Sequence, residues 1–559
     1  MPFTDPTKIV VTTQLDSPAF TGKPTLNGAP LSPDVILAGP GIDLTGVQDS
    51  TAALQAVLTA ATPGAIIAAV PGSALMITAS LQLTKPVTLD LTGCTLTQTT
   101  PGARGFRVTS GGVRIQRGKL IGPQFAVYTE TERAIEILGV SAASTLDEIQ
   151  VTDVDISSWG GHGVWAKWAT HVVTSNNRIA NIRRSGVTYL SVIGGAVCFN
   201  DITNITGSTV ENAYGVAITR GSDPNLLVDP RSEDIDVSFN RISNVTGWEG
   251  LDTHSGKRIK FAYNTVRGCL KGIVVTTTGT GTDYEPQDCE VVGNVIDSLK
   301  TDGSAETGII FNGFGAGGVR TNCATGSIVG NIVRGHGDQT NSIDGAILVQ
   351  CTEGLAITGN VVFAPSPTGI CVYHDNFDFT CTGNTVLDAF SNTVAVGQAD
   401  GIWLRAGNNN GVIAGNTSAV TGAVTAAYVL TRGIEVADLA CNVPEIGVNV
   451  SSSALPLLDG GSRSQLSLQG KKIGLLGATD FGSGLGVAAM KNATTPPTVN
   501  PAGGIVFYSE GGSLKFRGSN GVTDLTRQFG TAAVATDLPT VITLANFLRA
   551  ALLAQGLIG

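Results

Sequence analysis

The sequence predicts an all-β solenoid, in which short parallel strands wind into stacked coils, and three observations carry that prediction. First, a glycine opens an alternating apolar stretch and an Asn-x-Ile/Val unit closes it, as from Gly163-Val164 to Asn177-Arg178-Ile179 and from Gly186-Val187 to Asn200-Asp201-Ile202. The asparagines recur at 177, 200, 240, 264, 294, 331, 360, 384 and, in a degraded copy, 416, with separations of 23, 40, 24, 30, 37, 29, 24 and 32 residues. A floor of 23–24 residues with variable excess describes one coil per repeat, with insertions in its loops. Second, the copies are rich in Val, Ile, Thr and Gly and alternate with period 2, the pattern of half-buried strands. Third, no copy holds a helix-length amphipathic stretch, which excludes leucine-rich, ankyrin and paired-helix repeats. Stacked coils bury a continuous apolar column, and the recurring Asn must be satisfied inside it. The expectation is that Asn takes the left-handed turn between strands and hydrogen-bonds the Asn of the next coil.

Composition agrees. The 559 residues include 72 glycines, with 14% charged and 6% aromatic side chains. A net charge of −10 argues against a general nucleic-acid binder. No run approaches the ~18 apolar residues of a membrane helix, so no membrane insertion is expected. The start, Met1-Pro2-Phe3-Thr4-Asp5-Pro6, lacks the basic segment and apolar core of a secretory signal. Nine cysteines show no CxxC pair. Cys94, Cys269, Cys351 and Cys371 read as small apolar fillers in strands, which implies reduced thiols and folding in a cytoplasm. Asp153, Asp155, Asp234 and Asp236 alternate along strands without gathering into a ligand loop, so neither a metal site nor a cofactor is expected.

Taken in order, residues 1–38 read as an extended arm. Residues 39–457 form the solenoid, opened by a capping helix over about 49–60 in which Asp49 or Ser50 caps the N-terminus and Leu54, Val57 and Leu58 make the apolar face. Strands follow at Ile66–Val70, Ala79–Leu83 and Val87–Leu91. Residues 458–535 read as a small β domain. Over 536–559, Val541, Leu544, Leu548, Leu552 and Gln555 form a coiled-coil-like stripe too short to stand alone in water. It fits either a helix docked on its own domain or, preferably, a three-helix bundle at a trimer tip.

The run Gly46-x-x-Asp49-Ser50-Thr51-Ala52-Ala53-Leu54-Gln55, followed by Val70-Pro71-Gly72 and Val87-Thr88-Leu89-Asp90-Leu91-Thr92-Gly93, resembles the entry motif of pectate-lyase-like β-helix proteins, notably bacteriophage tailspikes. Ser50 stands where the family usually has a second Asp. The resemblance spans roughly 40–455 and implies a right-handed parallel β-helix. The stretch Asn492–Tyr508, with Gly512-Ser513-Leu514-Lys515-Phe516-Arg517-Gly518, resembles the C-terminal region of minor tail proteins from phages of actinobacteria. Gly22-Lys23-Pro24-Thr25-Leu26-Asn27-Gly28-Ala29-Pro30-Leu31 is similar to the N-terminal segment of tail-fibre proteins. Together these imply a virion tail protein assembled in the host cytoplasm. It would be a homotrimer joined through its arm to other tail proteins, and would bind a host cell-envelope polysaccharide. The alternative is a depolymerase, hydrolase or lyase, on the same scaffold. A bacterial surface adhesin ranks third, because the secretory signal is missing.

Aligning the coils on the residue before each opening glycine gives the column His162, Ser185, Tyr214, Glu249, Lys271, Thr307, Asp344, Thr368 and Asp400. Equivalent positions on adjacent coils lie about 4.8 Å apart, which makes Glu249 a neighbour of both Tyr214 and Lys271. In the coil Gly247–Lys260, Leu251 and Thr253 face the core, so Asp252 and His254 emerge outside beside Glu249. Two carboxyls, an imidazole and a cation are the ingredients of acid–base glycan chemistry, and Glu249, Asp252, His254 and Lys271 are the catalytic candidates. The competing expectation is a solvated charged face. Gly161-His162-Gly163 and Arg258-Ile259-Lys260 are similar to polygalacturonase motifs, but they stand in the wrong relation and lack the paired Asp-Asp. Trp165, Tyr214, Trp403, Asp400 and His162 are the glycan-binding candidates. Both tryptophans are placed either to stack on sugars or to be covered by insertions or a neighbouring subunit.

Overall fold

Each coil of the chain lays down three short strands, and each of these pairs in parallel with its counterpart one coil away, while Phe390–Ser391 and Tyr428–Val429 make a separate antiparallel pair. The computed structural model describes residues 34–436 except 208–211, 278–283, 301–303, 314–322, 339–344, 393–398, 406 and 427. Beyond 436 it describes 445–446, 449–453, 455–459, 465–466, 472–475, 487–490, 496–500, 506–518, 521–524, 546 and 549–550. Residues 1–33 of the arm, Asp344, Cys441 and all but three residues of the C-terminal helix therefore lie outside the described residues. The coil Glu249–His254, Lys257–Ala262, Thr265–Arg267 stacks on Tyr214–Thr219, Glu233–Ser238, Arg241–Val245. The first and second stacks merge where His162–Ser175 and Ser185–Cys198 run as single strands through both. This is a parallel β-helix.

Its core is the apolar column that the alternation dictates. Val164, Val187, Val216, Leu251, Ile273, Ile309, Ile347, Ile370, Ile402 and Ile434 follow one another in register, all buried. Each contributes about 1.5–3 kcal/mol by leaving water. Ile179, Ile202, Ile242, Val266, Ile296, Val333, Val362 and Val386 form the facing column on the third stack.

The Asn ladder forms as expected and runs one coil further, to Asn449. Asn264 is typical. Its Nδ2 donates to Asn294 Oδ1 at 3.0 Å and to the Val237 carbonyl at 2.8 Å, while its Oδ1 accepts from the backbone N–H and Nδ2 of Asn240. Its turn geometry differs from expectation. The left-handed residue is the one before each ladder Asn: Asn176, Phe199, Phe239 and Tyr263 at φ of 57°, 59°, 57° and 56°, then glycines at 293, 330, 359, 383 and 415. Phe199, Phe239 and Tyr263 stack along the surface, with ring centroids 5.1 and 5.3 Å apart.

The glycine that opens each copy is required for space. A Cβ on Gly250 would lie 2.5 Å from Val266 Cγ1 and 2.9 Å from the Gly272 carbonyl oxygen, and Gly163, Gly186, Gly215, Gly272 and Gly308 face the same pair of obstacles. Gly250→Val is therefore expected to destabilise the chain by about 1–3 kcal/mol, towards the upper end because a backbone oxygen cannot repack. A shift of the urea midpoint at unchanged slope would measure it.

The helix Thr51–Ala60 covers the first coil, burying Leu54 and Leu58 against Leu75, Leu81, Leu89, Leu91, Leu96 and Phe106. Ser50 stands at its N-cap without making a cap bond, because its Oγ accepts from the Asp43 N–H at 2.8 Å. Asp49 instead takes the Thr51 N–H at 3.0 Å. At the other end, parallel pairing continues past 457 through Leu455–Asp459, Lys472–Leu475 and Val487–Met490. Val506–Glu510, Ser513–Gly518 and Gly521–Asp524 then form a separate antiparallel sheet.

The eight described cysteines form no disulfide. Of the four expected in strands only Cys371 lies in one; Cys94, Cys269 and Cys351 are buried at turns.

Candidate functional site

Outward-facing residues of the first stack form two rows. One runs Arg133, His162, Ser185, Tyr214, Glu249, Lys271, and the other Glu136, Trp165, Thr188, Ala217, Asp252, Val274. Glu249 is thus paired with Tyr214 on one side and Lys271 on the other. Further along, the register Ile309, Ile347, Ile370 sets Gly345 level with Thr368, so that coil places a glycine in the column where Asp344 was expected.

The face is not solvated. Glu249 is 3% exposed and Asp252 1%. The segment 220–232 packs on Lys167 and Trp168 of a neighbouring coil. Asp229 anchors it through Lys167 at 2.8 Å, the Trp168 indole at 3.2 Å and the Asp223 N–H at 2.9 Å. Burial alone would raise the Asp229 pKa, but these donors hold it low.

Glu249, Asp252 and His254 bring one donor atom each within 4.8 Å of one another. His254 Nε2 lies 3.1 Å from Asp252 Oδ1, an ionic contact in which the ring N–H is not aimed at the oxygen. Lys271 Nζ sits 3.8 Å from Glu249, 3.4 Å from Glu306 and 3.6 Å from the centre of the Trp248 ring. Glu249 Oε2 has no hydrogen-bond partner among the described residues. Burial, and after it the Asp252 charge, pushes the Glu249 pKa well up, against the pull of Lys271. Burial works against charge on His254, but Asp252 outweighs it and the His254 pKa is raised. Burial, then Asp252 and Glu249, raises the Tyr214 pKa as well.

The raised Glu249 value has a consequence for stability. Above its unfolded pKa of about 4.3, the unfolded chain releases a proton that the folded chain keeps, so this group's contribution falls as pH rises towards the folded value. Glu249→Gln is expected to raise the melting temperature at pH 7–8 and to change it little near pH 4.

Asp252, His254 and Tyr214 open onto a cavity of about 150 Å³, whose wall continues through Thr188, Ser185, His162, Arg184 and Glu130. From His162 to Glu249 is three coils, about 14 Å. A second cavity of about 610 Å³ shares Trp165 and Leu190 with the first and adds Lys167, Arg220, Gly221 and Ser222. At the far end His162 Nδ1 lies 2.5 Å from Ser185 Oγ, with its Nε2 3.3 Å from Glu130. Burial lowers the His162 pKa despite Glu130, while Glu130, which burial alone would raise, is drawn down to about 2 chiefly by its hydrogen bond to His162.

Of the sequence candidates, His162, Trp165, Tyr214, Asp252 and His254 therefore line this pair of cavities, with Glu249 and Lys271 immediately behind them. Trp165 is 6% exposed and carries the Arg133 guanidinium 3.6 Å from its ring centre, so its cover comes from this chain. Asp400 and Trp403 lie elsewhere: Trp403 is five coils from Asp252 along its row, about 24 Å. Arg405 lies over the Trp403 ring at 5.0 Å. Both Asp400 oxygens lack a hydrogen-bond partner among the described residues, and burial followed by Glu435 raises its pKa well above the usual carboxyl range against Arg432. Glu130, Arg184 and Thr188 escaped the sequence analysis, and Ser185 stood in its column without being a candidate.

Fold and face together define a parallel β-helix with a lateral, carboxyl-backed cavity. Among solved structures, the pre-mature bacteriophage phi29 gene product 12 is similar at 12% identity and a TM-score of 0.50, covering 79% of this chain and 56% of that one. Tailspike protein 3 of bacteriophage CBA120 is similar at 11% identity and a TM-score of 0.40, covering 87% and 68%. A PL6 alginate lyase bound to a trisaccharide is similar at 12% identity and a TM-score of 0.46, covering 68% and 85%. These likenesses concern the fold. No protein-family model matches the chain, and no curated protein is similar to it in sequence.

Proposed function

We propose that the chain is a phage tail spike component whose lateral cavity binds an anionic cell-envelope polysaccharide and cleaves it by β-elimination. The observation that carries this reading is the burial of Glu249 and Asp252 together beneath a cavity lined by Asp252, His254 and Tyr214. A buried carboxyl pair with an oxygen lacking a partner among the described residues costs stability, and a functional site is one reason to bear that cost. Their separation favours elimination. Donor atoms within 4.8 Å are closer than the ~5–5.5 Å or ~6.5–9.5 Å at which two carboxyls flank a glycosidic bond for hydrolysis. A pair this close acts from one side of the sugar.

In this scheme Arg184 holds the carboxylate of a uronate residue in the cavity. The Asp252 carboxylate takes the proton from the carbon next to that carboxylate. The C–H electrons form the new C=C bond, the C–O bond to the leaving sugar breaks, and the protonated His254 gives its proton to the departing oxygen. Glu249, kept protonated, stands beside Asp252, and Lys271 balances the pair from behind. Because His254 must carry a proton, the rate is expected to fall as pH rises through its raised pKa.

The tail assignment rests on the tailspike-like entry motif, the tail-protein-like terminal segments and the phi29 likeness. On this reading the chain works as a homotrimer attached through residues 1–38 to other tail proteins, and a native mass near that of one 57.2 kDa chain would contradict the trimer. The test of the activity is to incubate the full chain with uronate-containing envelope polysaccharide and follow ultraviolet absorbance of unsaturated ends. Their appearance supports elimination. New reducing ends without unsaturation would mean hydrolysis, and retained binding with no cleavage would leave an adhesin.

A further inference from the structure

We propose that Cys351, His374 and Asp375, with Cys323 in the adjoining coil, form a binding site for a soft divalent cation of the zinc class. Cys351 is fully buried and sits at a turn with φ 53°. Its Sγ lies 3.7 Å from His374 Nδ1, Asp375 Oδ2 lies 2.9 Å from the same nitrogen, and all three donor atoms are within 4.8 Å of one another. That convergence is informative. A relay that activates a thiol uses the two ring nitrogens separately, one for the nucleophile and one for the carboxylate. Here thiol and carboxylate address one nitrogen, which suits three ligands around a common point.

The distances fit. A Zn–S bond of ~2.3 Å and a Zn–N bond of ~2.0–2.1 Å at the tetrahedral angle separate S and N by about 3.6 Å. The carboxylate needs only to back away by about 0.5 Å to exchange its hydrogen bond for a metal bond. A second thiol stands in the adjoining coil, outside that three-atom group. Ala324 bridges to Thr352 in parallel and its N–H donates to the Cys351 carbonyl at 2.9 Å, which sets Cys323 level with Cys351 one strand spacing away. Cys323 Sγ is 3.9 Å from the Asp375 carbonyl oxygen. Room for the carboxylate is kept by Gly407, where a Cβ would come within 2.6 Å of Asp375 Oδ1. The His374 side chain is 28% exposed and that of Asp375 14%, which leaves a path for an ion.

Thiolate and imidazole donors select zinc-like metals over magnesium or calcium. Binding converts the Cys351 thiol to a thiolate and releases its proton to solvent. None of these residues lines the carboxyl-backed cavity, so the site is independent of the proposed cleavage.

The test is titration of the reduced full chain with Co²⁺. The expected result is a sulfur-to-cobalt charge-transfer band that saturates near one equivalent and is displaced by Zn²⁺. It should vanish in Cys351→Ser and His374→Ala and persist in Cys94→Ser and Glu249→Gln. Glu249→Gln separates this site from the sulfur-free Glu249, Asp252, His254 group. Asp375→Asn, at a partly exposed residue, should weaken binding at least tenfold and keeps the test decisive if Cys351→Ser fails to fold. Absence of the band in the native chain, or its survival in both Cys351→Ser and His374→Ala, overturns the proposal.

Discussion

Asp252→Asn is expected to slow polysaccharide cleavage by about 10²–10⁴-fold while leaving the folded chain as stable as before or more so. The substitution keeps the size of the side chain and removes one of two carboxyls that are both almost wholly buried. Glu249 then loses its like-charged neighbour, the second largest cause of its raised pKa. His254 loses the charge that lifts its pKa against burial, and with it the proton needed for the leaving oxygen. Base and acid thus fail together. Initial rates from ultraviolet absorbance, measured beside thermal melts on the same samples, check both halves. Lost activity with lost stability would reduce Asp252 to a structural residue.

Asn264→Leu is expected to destabilise the chain by about 3–5 kcal/mol, more than an average core substitution. Asn264 closes hydrogen bonds on both sides of its coil, accepting from the backbone and amide of Asn240 and donating to Val237 and Asn294. Leucine fills the volume but leaves the Asn240 backbone N–H buried without a partner and strips one bond each from the Asn240 amide, the Val237 carbonyl and Asn294 Oδ1, at about 1–3 kcal/mol for an unpaired group and less for the others. No water replaces them, since Asn240 and Asn264 are each 1% exposed. The urea midpoint should fall sharply. The exposed Asn244→Leu, whose side chain bonds Asn204 at 3.3 Å, should cost less, about 1–2 kcal/mol, chiefly because leucine must take the left-handed φ of 59° there.

The fold was legible because a β-helix repeats its constraints. Each coil needs an apolar residue at the same step and an Asn at the same turn, and nearly every coil a glycine at the same close approach, so the requirement is written over and over. What the repeat hid was which residue bends. The left-handed position belongs to the residue before Asn, and its occupants range from Phe to Gly with no common chemistry. The site was only partly legible. Register alone set Glu249 between Tyr214 and Lys271, because neighbours in a column follow from counting. Burial was not readable, since a position in the column does not say how much of the side chain its neighbours cover. Glu130 precedes its strand and reaches His162 from 32 residues away, which no spacing rule anticipates. Asp400 and Trp403 share the column but sit too many coils away to join the cavity. Cys351 read as a filler because the thiol alone is uninformative; His374 and Asp375 reach it only across a coil.

The most direct test of the account is the structure of Asp252→Asn soaked with a short uronate oligosaccharide. The account predicts a sugar carboxylate on Arg184, with the neighbouring C–H over residue 252 and the glycosidic oxygen facing His254. Sugar density on the Asp400–Trp403 face, with the cavity beside residue 252 empty, would contradict it.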